Sequence, residues 1–306
     1  RLIDEPLEEK KIVNEISSFS SIKNEVSLSV RAQYESNPYP RWVNAHMSSN
    51  LTSPEQLFSE LKLKVNQSAL KKRSLKHVLI AGCGTGQQPL ETAAGAYRNL
   101  ELTALDLSKN SLAYAIRNSE RFDINNVNFF QGDILNLASL DMVFDIIESC
   151  GVLHHMQEPA LGWKILANQL RPGGMIKIAL YSSIARWEIT RIREEIATLN
   201  LTPDAKTMRN YRKKIIDRKK DNVRFVQDFF SLSMFRDLLF HAQEHLFTID
   251  SIKKQIDSLG LNFCGFETDR VTTEQFRARF DSNEAVYDLS NWEQFERENP
   301  SAFFGM

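Results

Sequence analysis

Residues 77–88 read HVLIAGCGTGQQ, an apolar run that ends abruptly in three glycines spaced two apart. Such a run, broken by glycine and followed at once by the helical pattern of QQPLETAAGAYRN, predicts a strand, a tight turn and a helix. The pattern then recurs. From about residue 75 onward LELTALDL, VNFFQGD, VFDIIESCG and MIKIALYS supply further strands, with helical stretches between them. Ser108 is the expected N-cap of one such helix, whose Leu112, Ala115 and Ile116 share a face; Leu161, Ile165, Leu166 and Leu170 stripe another, which RPGG stops. Strands alternating with helices make βαβ units, so the fold class is α/β: a Rossmann-like, mostly parallel sheet with helices on both faces.

The sheet core is expected over residues 61–182, behind an N-terminal helical segment, residues 1–60, that serves as a lid. Residues 183–245 are helical in pattern and polar, without strand candidates, and form an insertion after the fifth strand. Because it leaves from the end of a parallel strand, it starts on the carboxyl edge of the sheet, where open α/β folds bind ligands. Its expected role is a helical cap. Residues 246–306 return to the core through the helix TIDSIKKQIDSLG, stopped by Gly260, and a last strand LNFCGFET, followed by a helical tail.

At 42% hydrophobic and 25% charged, the chain has the composition of a globular protein with a full core. No apolar run approaches the roughly 20 residues of a membrane span, and the first 30 residues are too acidic and polar for a signal peptide. A cytoplasmic protein with no membrane partner is therefore expected. Three cysteines make no disulfide framework, in keeping with that compartment. A net charge of -1 speaks against nucleic acid as a partner, and the basic run TMRNYRKKIIDRKKDN reads as the solvated face of an insertion helix. The start on Arg1 rather than Met suggests a piece of something longer.

A glycine turn between strand and helix suits a nucleotide-like ligand, because the backbone can come close and the helix start offers free N–H groups. A dinucleotide fingerprint, G-x-G-x-x-G, would put its third glycine at position 87, which is Gln87. Gly82, Gly84 and Gly86 are spaced G-x-G-x-G instead, which favours S-adenosylmethionine, a cofactor with no pyrophosphate to seat, over NAD. Asp106 ends the second strand, where a carboxylate accepts hydrogen bonds from both ribose hydroxyls, and Asp133, in QGD at the end of the third, is set to meet the adenine amino group.

In order, VLIAGCGTG, LTALDLS, QGDIL, FDIIESCGVLHHM and LRPGGMIKIALY resemble the motifs of class I S-adenosylmethionine-dependent methyltransferases, over about residues 75–182. The resemblance implies methyl transfer by in-line displacement, with Gly82, Cys83, Gly84, Thr85, Gly86, Asp106, Leu107, Asp133, Ile134 and Cys150 around the cofactor. It also implies that ESCGVLHHM lines the methyl site, which makes Glu148, Cys150, His154 and His155 the candidates there. No Asn-Pro-Pro-Tyr type motif stands at this place, which counts against exocyclic amino groups as acceptors. A small-molecule or protein acceptor is the expectation; the alternative is a cofactor-binding scaffold or sensor without turnover. The flanks QYESNPYPRW, FHAQEHLFT and FERENPSAFFGM resemble bacterial methyltransferases often joined to tetratricopeptide repeats, which would lie outside this chain.

NPYPRW packs two prolines, two rings and an arginine into six residues, with Tyr34 just before. Proline-fixed turns carrying rings close over a flat or cationic ligand at little ordering cost, so Tyr34, Tyr39, Arg41 and Trp42 are candidate lid residues, Tyr39 and Arg41 beside the cofactor. HAQEH, His241 to His245, matches the H-x-x-E-H pattern of zinc peptidases in a stretch that reads as helical, but no third ligand segment is evident and no metal is expected. That helix is expected to present His241, Gln243, Glu244 or His245 to the acceptor, which sets His245 beside His154, His155 and Tyr34 as catalytic candidates. Cys83 and Cys150 read also as small packing residues.

Overall fold

The computed structural model describes residues 3–45, 53–66, 68 and 74–305; Met306, the last residue of FERENPSAFFGM, and part of the N-terminal lid segment lie outside these. Five strands, β1 (His77–Ala81), β2 (Glu101–Asp106), β3 (Val127–Gln131), β4 (Phe144–Cys150) and β5 (Leu170–Ala179), form one sheet in the order β3-β2-β1-β4-β5. All four pairings are parallel. β1 is central because its sequence allows nothing else: Val78, Leu79, Ile80 and Ala81 are each at most 1% exposed, apolar to both faces. Asp145 of β4 fixes its lower end, accepting from the Lys76 and His77 N–H groups at 2.9 and 3.2 Å. The strand order reverses between β1 and β4, and ligands of open α/β sheets bind above such a point.

Helices α1 (Asp4–Glu15), α2 (Glu25–Ser36) and α3 (Pro54–Glu60) precede the sheet, and α4 (Gln87–Ala94), α5 (Lys109–Arg121) and α6 (Pro159–Asn168) connect its strands. Ser108 caps α5 through the Ser111 N–H at 3.1 Å, as its sequence predicts. The free edge of β3 is covered by the segment after α1: Gln131 donates to the Ser17 carbonyl at 2.9 Å and accepts from the Phe19 N–H at 3.2 Å.

The insertion holds α7 (Trp187–Thr198), α8 (Ala205–Arg218) and α9 (Leu232–Phe240) around a core of its own, with Ile192, Met208, Ile215, Phe229 and Phe235 buried together. α10 (Ile249–Ser258), α11 (Arg270–Arg279) and α12 (Leu289–Glu298) follow. No helix among the described residues is long and apolar enough to cross a membrane.

Three expectations are corrected. LNFCGFET forms no strand: Cys264 spends its carbonyl on the Lys64 N–H at 2.8 Å, and a cavity separates the segment from β5, bridged by Lys177 and Glu267 at 2.5 Å. β5 starts at Leu170, so RPGG lies within it rather than forming a stop between the helix and MIKIALYS; an irregular register against β4 absorbs the glycines, and Gly174 sits so close that a Cβ there would stand 2.7 Å from the Asp145 carbonyl. HAQEH is not helical, because α9 ends at Phe240 and His241 is already extended, its carbonyl taken by Arg193 at 2.9 Å.

Gly132, after β3, lies under the Phe19 ring, and a Cβ there would meet that ring at 1.8 Å. Gly132→Ala is expected to lower unfolding free energy by about 1 to 3 kcal/mol, the range for overpacking. An unchanged urea midpoint would show instead that the segment over β3 swings aside freely.

Candidate active site

At the carboxyl ends of β1, β2 and β3 the chain builds a loop held from below by one acid. The N–H groups of Gly82 and Cys83 donate to the Leu105 carbonyl at 2.8 and 2.9 Å, and the Gly84 N–H donates to Asp106 Oδ2 at 2.9 Å. Asp106 Oδ1 takes the Ser108 N–H at 2.9 Å. Burial pushes the Asp106 carboxyl up to about 6, while the N–H bonds from Ser108 and Gly84 pull it down. Gly84 has φ +53°, and a Cβ there would lie 2.9 Å from the Tyr39 carbonyl, so only glycine fits beneath residues 39–42, the N-terminal strap. Gly86, at φ +85°, turns the chain into α4 where a Cβ would stand 2.4 Å from that of Ala115.

These groups border a cavity of about 1350 Å³ lined by Gly82, Cys83, Gly84, Asp106, Leu107, Asp133, Ile134, Cys150 and Tyr39 of the expected cofactor residues. Thr85, Gly86 and Arg41 do not reach it. Thr85 is sealed in, its hydroxyl donating to the Pro40 carbonyl, and Arg41 is exposed. The residues present fit S-adenosylmethionine on one count that owes nothing to motif: Asp133 is 3% exposed, and its Oδ2 has no hydrogen-bond partner among the described residues. An orphaned buried acceptor costs stability unless a ligand donor, such as an adenine amino group, completes it. A single small ligand needs less than this volume, which leaves room for an acceptor.

The cavity continues to Tyr34, His155, Tyr181 and Asp237, drawn from α2, the turn after β4, the end of β5 and α9. Tyr34 donates to Asp237 Oδ1 at 2.7 Å and lies 3.1 Å from His241 Nε2. His155 Nδ1 faces the Gln243 carbonyl at 2.7 Å, so that nitrogen carries the proton and Nε2 keeps its lone pair. His154 and His245, expected as catalytic, do not line the cavity. His154 is fully buried between Tyr181 and His155 with both ring nitrogens unpartnered among the described residues, and His245 Nε2 meets the Gln243 side chain at 2.9 Å. Glu148 has both oxygens occupied, by Tyr97 at 2.6 Å and by Gln88. Burial pushes the Cys150 thiol up to about 11, so it stays protonated.

Asp237 and Tyr181 were missed by the sequence reading. A signal existed for the first: LSMFRDLLF is apolar nearly all round, a pattern that buries a helix on every side and its one acid with it. Asp237, His155 and His241 stand close enough to hold a cation, with candidate ligand atoms within 4.8 Å of one another. The rings argue against it. His241 Nδ1 accepts the Gln243 N–H at 3.1 Å, which puts its proton on Nε2, and the two rings are stacked at 3.5 Å and 16°, so their in-plane nitrogens do not converge on one ion.

Burial holds His154, His155 and His241 neutral, His155 down at about 3 and His241 at about 2. In the unfolded chain each titrates near 6.5, so below that pH the unfolded state binds the extra protons and the contribution to stability falls with pH. His154→Phe keeps the ring stack without the titration. Its stability should fall less between pH 6.5 and 5 than that of the parent, by about 1 kcal/mol per pH unit, in urea melts across that range; equal slopes would mean that the folded ring is protonated.

The family model described as "Methyltransferase domain" matches residues 72–227. An uncharacterised protein from Synechococcus sp. is 30% identical over 241 residues, covering 71% of this chain and 55% of that protein. The ubiquinone biosynthesis O-methyltransferase of Coxiella burnetii is 30% identical over 133 residues, covering 44% of this chain and 53% of that protein. In fold the chain resembles PKMT2 from Rickettsia typhi, solved in complex with AdoHcy, with a TM-score of 0.57 at 18% identity over 83% of this chain and 52% of that one. The chain thus spans about half the length of these relatives. With the parallel sheet, the glycine loop over Asp106 and the family match together, the chain belongs to the methyltransferase domain family, enzymes that use S-adenosylmethionine as methyl donor.

Proposed function

We propose that this protein transfers the methyl group of S-adenosylmethionine to a small-molecule or protein acceptor seated against Tyr34, His155 and Tyr181. The observation that carries the reading is the pairing, in one cavity, of Asp106 and Asp133 at the ends of adjacent strands with a second polar wall beyond the glycine loop. Asp106 grips the ribose with the lone pairs that its two backbone bonds leave free, and Asp133 Oδ2 takes the adenine amino group. Gly82 to Gly84 give the methionine end room against the backbone. When bound, the cofactor supplies an electrophilic methyl on a sulfonium. The chain's part is to hold the acceptor in line with the leaving sulfur and to keep water out, which supplies most of the acceleration such displacements need.

The division of labour follows the segments. Residues 61–182 bind the cofactor, residues 1–60 act as lid, residues 183–245 cap the acceptor side, and residues 246–306 complete the core. Tetratricopeptide repeats elsewhere in the protein and a cytoplasmic location are proposed on the sequence alone.

Calorimetric titration with S-adenosylmethionine and S-adenosylhomocysteine, followed by labelled-methyl transfer to protein and small-molecule fractions of a cell extract, tests the reading. Binding with label transfer is expected. Binding of both cofactors with no labelled product would leave a sensor, and no binding would remove the cofactor assignment. Asp106→Ala is expected to weaken cofactor affinity by about 1 to 3 kcal/mol, the worth of hydrogen bonds to a charged group. An affinity equal to the parent's would refute its ribose role.

A further inference from the structure

Asp237 is a buried carboxylate at 5% exposure, on a helix of the insertion, yet it lines the same cavity as the glycine loop. A buried anion is costly unless a cation or several donors meet it. Among the described residues the ion-pair contact of Asp237 is His241 at 4.0 Å, and burial keeps that ring neutral. Arg186, the guanidinium that acts on it from α7's start, is committed to Glu244 at 3.2 Å and to the face of Tyr181 at 3.5 Å. The hydrogen bond from Tyr34 therefore carries most of the burden, and among the described residues no arginine forms an ion pair with Asp237.

The hydrogen positions around Tyr34 are fixed by its neighbours. Because the Gln243 N–H occupies His241 Nδ1, His241 Nε2 bears the proton and donates to Tyr34 Oη at 3.1 Å. The Tyr34 hydroxyl proton is left to point at Asp237 Oδ1, 2.7 Å away. Tyr34 itself borders the cavity, so an acceptor can donate to the remaining lone pair of its oxygen. Both directions of a proton path, in from the cavity and out to a carboxylate, are present in three residues.

We infer that Asp237 is the counter-charge of the cofactor's sulfonium and, through Tyr34, the sink for the proton of an N–H or O–H acceptor. This rests on the methyltransferase reading and narrows its acceptor to one that arrives protonated. The lone pair of the acceptor N or O forms the new bond to the methyl carbon, and the C–S bond breaks with its electron pair left on sulfur. The acceptor's proton passes to Tyr34 Oη as the Tyr34 proton passes to Asp237. One sulfonium and one carboxylate become a thioether and a carboxylic acid, so the charges of that pair sum to zero before and after. Tyr34 is the catalytic group; Asp237 acts through it.

Burial pushes the Asp237 carboxyl up to about 7, and the groups facing it divide: Asp228 and Glu244 push the same way, Tyr34 and Arg186 oppose. The rings of His155 and His241 are neutral and Tyr39 is held by Asp228 at 3.2 Å, so none of these titrates in the same range. A sulfonium in the cavity holds Asp237 ionised, whereas S-adenosylhomocysteine, whose thioether sulfur carries no charge, leaves it free to take a proton.

The test is calorimetry of the full chain with each of the two cofactors from pH 6 to 8, in buffers of different ionisation enthalpy. In the parent, binding of S-adenosylmethionine should release a proton near and below neutrality that S-adenosylhomocysteine does not, and the ratio of their affinities should shift toward S-adenosylmethionine as pH rises. Asp237→Asn should abolish both effects while still binding S-adenosylhomocysteine, which shows that it folds. Tyr34→Phe removes a bond that favours the ionised acid, so the proton release should move to higher pH; with the extract fraction that the parent labels, its kcat should drop about 100-fold with little change in cofactor KM. Proton release retained in Asp237→Asn, or Tyr34→Phe turning over within threefold of the parent, would overturn the inference while leaving methyl transfer intact. A parent chain that binds neither cofactor would overturn both.

Discussion

One carboxylate organises the glycine-loop side of the cavity. Asp106 closes β2, but its two oxygens are spent on the N–H of Gly84 in the loop after β1 and on that of Ser108 at the start of α5. A loop of three glycines has little of its own to hold it; joined to a neighbouring strand, it becomes a fixed surface. The N-terminal strap is latched to the same loop: the Trp42 indole donates to the Thr85 carbonyl at 3.1 Å, Thr85 donates back to Pro40, and Tyr114 of α5 donates to the Trp42 carbonyl. Trp42 is 7% exposed and packs against Phe122, so the strap is anchored by burial and by hydrogen bonds together.

The opposite side of the cavity is organised differently, by convergence of distant segments. The residues after α9 run extended because each polar group finds a partner elsewhere: the Ala242 N–H on Gln33, the His245 N–H on the His154 carbonyl at 2.7 Å, and the Phe247 N–H on the Tyr181 carbonyl at 2.9 Å. Glu244 sits between Arg186 and Arg193 and fastens this run to α7. Helical propensity in HAQEH yields to these tertiary bonds.

Most of the sheet was legible in the sequence, because a strand buried on both faces must be a continuous apolar run and Val78 to Ala81 is one. The glycine spacing and the two strand-end acids were legible for the same local reason, and the structure brings them to one cavity. What failed was everything that depends on a partner far away in sequence. LNFCGFET has a strand's composition, but a strand needs a neighbour's ladder, and β5 lies across a cavity from it. The fate of each histidine was equally invisible. His155 and His154 are adjacent in sequence, yet one ring borders the cavity and the other is closed off against Tyr181, a difference set by the turn after β4. Asp237 could have been suspected from its apolar helix, but nothing nearby in sequence points to Tyr34, some two hundred residues earlier.

The two halves of the site are built from separate stretches of chain. The glycine-loop wall comes mainly from β1 to β3 and the loops above them, with Tyr39 and Cys150 joining it, whereas the opposite wall is assembled from α2, the end of β5 and the insertion. Substitutions that reshape the second wall leave the backbone bonds of Asp106 untouched. On the proposed reading, donor chemistry can stay fixed while the choice of recipient drifts, and a lineage built on this scaffold can acquire new substrates by rewriting α2, the end of β5 and α9 with its flanks.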